Sequence, residues 1–161
     1  MAVKWKPKTK WRDKLEKEQE PQVVDVPENW RKKYGPGKML IPRPLDVDAQ
    51  MRRVRKGRVV TQSALREKLA ADQKVEYCCP MTTGIFIRIA AEAAEEDLQS
   101  GKKRITPYWR VVKNDGSLNE KFPGGAKAQA AKLKEEGHKI VPGKGKKPPK
   151  LVDHEKKLMK L

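Results

Sequence analysis

Apolar residues recur at helical spacing in four stretches of the chain and thin out toward both ends. Val47, Met51 and Val54 are spaced four then three, which predicts an amphipathic helix capped by Asp46 or Asp48 and stopped near Gly57. Thr61 suits a helix cap, and Gln62 to Ala71 reads as a second helix with Ala64, Leu65 and Leu69 inside. Thr82 or Thr83 would cap a third helix, Gly84 to about Gln99. Its first half (Ile85, Phe86, Ile87, Ile89, Ala90) is apolar enough to predict burial, and its second half carries Glu92, Glu95, Glu96 and Asp97. A last helix runs from Ala126 to Glu136 and stops at Gly137.

Ile105 to Val112 reads as a strand interrupted by Pro107, followed by a turn at Asn114-Asp115-Gly116-Ser117 and a tight loop at Phe122-Pro123-Gly124-Gly125. Three helices, a small β hairpin and a final helix predict a mainly α domain with a winged helix-turn-helix-like layout over residues 38–140. Residues 1–37 read as a basic N-terminal extension. It carries Trp5 and Trp11 among lysines, a short helix from Thr9 to Glu20 with Trp11 and Leu15 on one face, and a helical turn or two ending at Gly35-Pro36-Gly37. Residues 141–161 read as a basic tail. From Pro142 onward it is Lys, Gly and Pro, which predicts disorder, with a transient basic helix over Val152 to Leu161.

Charge sharpens this division. The net charge is +17, of which residues 1–60 carry +9, residues 61–140 only +3 and residues 141–161 +5. A nearly neutral centre between strongly basic ends predicts a polyanionic partner, a nucleic acid. The densest run is Arg52, Arg53, Arg55, Lys56 and Arg58, which would clamp phosphates together with Lys102, Lys103 and Arg104. Trp5 and Trp11 would either stack on nucleic acid or dock the extension onto the domain. Cys78 and Cys79 are adjacent and cannot form a disulfide framework, which fits a reducing interior. With His138 they make no known metal spacing, so neither metal nor cofactor is expected. No apolar run is long enough to span a membrane, and Met1 to Lys17 lacks the apolar region of a secretory signal. The expectation is a cytoplasmic protein with no membrane partner.

Several spaced features resemble one family. The block Pro107-Tyr108-Trp109-Arg110-Val111-Val112, then Asn114-Asp115-Gly116-Ser117-Leu118, then Phe122-Pro123-Gly124-Gly125, then Lys134-Glu135-Glu136-Gly137 is similar to the C-terminal DNA-binding domain of the O6-alkylguanine-DNA alkyltransferases, the methylated-DNA–protein-cysteine methyltransferases. Lys56-Gly57-Arg58-Val59-Val60-Thr61 resembles the approach to that family's first DNA-binding helix. The resemblance covers roughly residues 45–140. It implies a duplex DNA partner, with Thr61 and Gln62 at the nucleic-acid surface, and a base flipped out of the stack. It also implies a pocket at Tyr108, Trp109, Arg110 and Glu135, where Glu135 or Glu136 matches the family's orienting glutamate.

The departures fall where the family does chemistry. Tyr108 stands in place of the reactive cysteine and Trp109 in place of its histidine. A phenol is a poor nucleophile at neutral pH, and an indole is no base. Gln62 stands where the family has a tyrosine, and Arg88 is the one arginine of the third helix. The implied protein is a cysteine-less, alkyltransferase-like DNA binder with no catalytic residue, sensing alkylated guanine for repair together with a partner yet to be identified. Two alternatives stay open: an RNA-binding or ribosome-associated module reusing the fold, and a residual alkyltransferase acting through Cys78 or Cys79. Tyr108 and Trp109 either stack on a flipped base or fill the core.

Overall fold

Thr61 illustrates how local chemistry starts the architecture. It ends a two-residue strand, β3 (Val60–Thr61), and its hydroxyl accepts the amide of Ala64 at 3.1 Å, capping a helix. In the computed structural model, which describes residues 10–161, the other elements follow as α1 (Trp11–Leu15), β1 (Gln22–Asp25), α2 (Arg31–Tyr34), β2 (Lys38–Ile41), α3 (Pro44–Arg52), α4 (Gln62–Asp72), β4 (Tyr77–Cys78), α5 (Pro80–Gln99), β5 (Val111–Val112), α6 (Gly125–Glu135), β6 (Ile140–Val141) and β7 (Lys150–Leu151). The fold is mainly helical with small sheets, as expected. Trp5 lies outside the described residues.

The core forms where α3 and α4 meet α5. Val47 and Met51 of α3, Leu65 and Leu69 of α4, and Ile87, Ala90, Ala91 and Ala94 of α5 are all buried in one cluster. The alanines let neighbouring helices approach α5 closely, and α1 and α3 both pack along it. A three-stranded sheet in the order β1-β2-β4 covers one side, with β1 antiparallel and β4 parallel to β2. A second cluster, including Val59, Val112, Leu118, Leu133 and Leu151, joins α6 to the C-terminal segment. Among the described residues, no helix is long and apolar enough to cross a membrane.

Several expectations are corrected. The hairpin over 105–117 is replaced by a 3₁₀ turn at Tyr108–Arg110 and by β5, which pairs in parallel with β3. Pro107 has no N–H to give a ladder, and Tyr108 donates its amide back to Thr106, so the chain turns there. From Pro149 onward the C-terminal segment packs on the domain. β7 pairs with β6, Leu151 and His154 are buried, and the amides of Leu151 and Met159 donate to Gly116 and Val59. Burial of those side chains together with backbone pairing overrides the disorder that its composition implies. His154 packs on Gly116, where φ is +86° and an added Cβ would fall 2.6 Å from the imidazole.

Helix starts shift as well. Pro44 opens α3, so Asp46 sits in the first turn and receives Arg43, while buried Asp48 accepts the Thr106 hydroxyl at 2.5 Å. Pro80 opens α5, two residues before the expected threonines, and the Cys79 thiol accepts the Thr82 amide at 3.5 Å. Thr9, where the first helix was expected to begin, lies outside the described residues, and from Lys10 to Glu20 only α1 is helical.

Candidate nucleic-acid interface

The apolar first half of α5 is the largest departure from expectation. Met81 is 64% exposed and Ile85 54%, while Ile87 is fully buried. Met81, Ile85 and Arg88 lie at i, i+4 and i+7, which stacks them on one helix face. They line a groove of about 650 Å³ whose other walls include Trp11 and Lys14 of α1, Gln62 at the start of α4, and Lys113, Glu120 and Lys121 of the loop after β5. The Ser63 amide donates to Asn114 Oδ1 at 3.0 Å and ties the start of α4 to that loop. An adjoining cleft of about 670 Å³ shares Arg88 and Lys121 and is lined by Glu92, Glu95, Tyr108, Phe122 and Lys132.

Three of the four acids in the second half of α5 are engaged by other parts of the domain. Glu96 accepts the backbone amides of Trp11 and Arg12, each at 2.9 Å, and buried Asp97 takes the Arg12 guanidinium. Lys102 reaches the same Asp97 carboxylate at 3.4 Å. Glu95 Oε1 accepts the Tyr108 hydroxyl at 2.6 Å. Burial, reinforced by that hydrogen bond and by the charges of Glu95 and Glu92, pushes the Tyr108 phenol far above its ordinary pKa. Its ring meets Trp109 and Phe122 edge-on at 5.4 and 5.3 Å.

The expected pocket residues separate. Tyr108 faces the cleft beside Arg88, whereas Trp109 and Arg110 line a different, basic cleft of about 350 Å³ with Arg52, Lys103 and Arg104. Arg110 donates from Nε and Nη2 to Glu136, at 2.9 and 2.7 Å, and from Nη1 to the Val54 carbonyl at 2.7 Å. Burial opposes ionisation of Glu136, but the Arg110 hydrogen bonds and charge hold its carboxyl below the ordinary value. Of the two glutamates expected in this role, Glu136 is the one that Arg110 engages, and Glu135 is exposed to solvent.

The basic run emerges from the end of α3. Arg52 pairs with Asp48, Arg53 donates to Gln50, and Arg58 donates to the Lys156 carbonyl, while Arg55 and Lys56 are exposed. Sequence reasoning missed Met81, Ile85, Lys113, Lys121 and Lys14 as groove residues. The signal was the i, i+4, i+7 ladder within the apolar run, but an apolar residue on every face conceals which face is buried.

Both cysteines are buried and free. Burial pushes the Cys78 thiol up, away from a reactive thiolate. Among the described residues no group of three His, Cys, Asp or Glu side chains is placed to hold a metal ion.

The described residues thus form a mainly helical domain with one exposed helix face flanked by lysines. No protein-family model matches the chain, and no curated protein matches it. Among solved structures, the chain is similar to S. pombe Atl1 in complex with damaged DNA containing O6-carboxymethylguanine. The match has a TM-score of 0.50 at 18% sequence identity and covers 73% of this chain and 94% of that one. At that identity the likeness establishes the fold.

Proposed function

We propose that this protein binds duplex DNA along the first half of α5, receives an alkylated guanine in the adjoining cleft, and performs no chemistry on it. The observation that carries this reading is the Met81–Ile85–Arg88 ladder, exposed beside Gln62 and flanked by Lys113 and Lys121. Apolar side chains on such a face meet base edges and sugars, and the flanking cations meet phosphates. Arg52, Arg53, Arg55, Lys56, Arg58 and Lys102 to Arg104 extend the phosphate contacts beyond the groove. Thr61 acts through its cap, which orients Gln62. The shared fold of Atl1, whose structure holds damaged DNA, supports the same reading.

The cleft beside Arg88 would hold a base drawn out of the stack through Arg88, Lys121 and Lys132, because Tyr108 and Phe122 at its floor are buried in the core and leave no ring face open for stacking. No transfer of the alkyl group to Tyr108 follows, because its proton is engaged by Glu95 and its ionisation is suppressed. The lesion would be held and marked for downstream factors.

Fluorescence anisotropy with three probes tests this: a duplex with one O6-methylguanine, the same duplex unmodified, and a structured RNA, each at two salt concentrations. Both duplexes should bind at low salt, and the methylated one should keep an advantage at higher salt, where phosphate contacts fade. Tighter binding of the RNA than of either duplex would overturn the DNA reading. A gain of one methyl group in the intact mass after incubation would overturn the absence of chemistry.

A further inference from the structure

We infer that α1 is a wall of the DNA groove, in which Trp11 positions Arg88 and Lys14, and that the acidic half of α5 exists in part to dock it. The inference rests on the reading of the groove as a DNA site. A helix of five residues has no stability of its own. Here three contacts fix it: the Glu96 carboxylate bridges the Trp11 and Arg12 amides, Arg12 pairs with Asp97, and Leu15 is fully buried in the main core.

This docking places the Trp11 indole in the groove. Lys14 Nζ lies 4.2 Å from its ring centroid and Arg88 Cζ 5.9 Å. Arg88 is exposed, and an exposed arginine samples many rotamers that it must give up on binding. A ring beneath the guanidinium restricts those rotamers before DNA arrives. The route runs from Glu96 through the α1 backbone to Trp11, and from Trp11 to the two cations that meet phosphate.

The signs of two effects separate here. Removing a carboxylate near a DNA site strengthens binding if charge alone matters. Removing Glu96 weakens binding if its task is to hold α1. Duplex affinity is therefore measured by anisotropy at one fixed salt for the full chain and for Glu96→Ala, Trp11→Ala and Trp11→Tyr, with thermal melting of each by circular dichroism. Trp11→Ala leaves the backbone amides for Glu96, so it decides the matter if Glu96→Ala does not fold. Expected are about fivefold weaker binding for Glu96→Ala, about tenfold for Trp11→Ala, and rescue to within about twofold by Trp11→Tyr, which keeps an aromatic face. Binding by folded Glu96→Ala that equals or exceeds that of the unaltered chain would overturn the inference, as would unchanged affinity in Trp11→Ala. Absence of duplex binding by the unaltered chain would instead sink the DNA reading, and the inference with it.

Discussion

The two halves of α5 behave opposite to their composition. The first half is apolar and yet presents Met81, Ile85 and Arg88 to solvent, while the second half carries four acids and buries its alanine face. Hydropathy read along the sequence assigns burial by residue type. Burial is decided by which helix face meets a neighbour, and that changes within two residues. The exposed apolar ladder is the feature on which the proposed DNA surface rests. Three of the four acids, Glu95, Glu96 and Asp97, are held by α1 and Tyr108, while Glu92 lines the cleft.

The largest test of this contrast is Tyr108→Ala. Removing a buried aromatic packed on Phe122, and leaving Glu95 without its donor, should cost about 3–5 kcal/mol in chemical denaturation. A cost under about 1 kcal/mol would mean that the second half of α5 does not anchor the core. Next comes a pair of isoleucines two positions apart. Ile87→Ala should cost about 2–5 kcal/mol and Ile85→Ala no more than about 0.5 kcal/mol, yet only Ile85→Ala should weaken duplex binding by a folded protein. Equal destabilisation by both would erase the two-faced description of the helix. Arg88→Ala should leave the melting temperature within a few degrees and reduce the slope of log affinity against log salt by about one. An unchanged slope would place Arg88 away from phosphate.

The smallest effect is electrostatic and lies beside the Arg110–Glu136 pair. Burial holds the His138 imidazole below its ordinary pKa, Glu136 opposing and Lys157 and Arg110 assisting. A folded-state pKa below the unfolded one means that stability is full above the unfolded value of about 6.5 and declines as pH falls through it. His138→Gln should flatten the loss of stability between about pH 7 and 5, and a slope unchanged by the substitution would remove His138 as its source.

Much of the helical framework was legible. Capping by Thr61, the helix from Gln62, the end of α5 at Gln99 and the stop at Gly137 follow from local chemistry that acts over a single turn. The site was legible in part. Tyr108 lines the cleft, but Trp109 and Arg110 line another, with Arg110 drawn to Glu136 and the Val54 carbonyl. Glu136 rather than Glu135 meets Arg110, because one residue of helical phase separates a buried position from a solvated one.

The terminal segments show where sequence stops and tertiary structure begins. Composition alone determined their charge, and with it the attraction of this chain for a polyanion, because net charge needs no fold to exist. Their order was decided elsewhere. Glu96 and Asp97 lie more than eighty residues from the α1 they hold, and Val59 lies a hundred residues before Met159. Pairing over such separations depends on the packed core that brings the partners together. No window of local sequence contains both, and so only the tertiary structure could place the N-terminal helix in the groove and the C-terminal strand against the turn beside it.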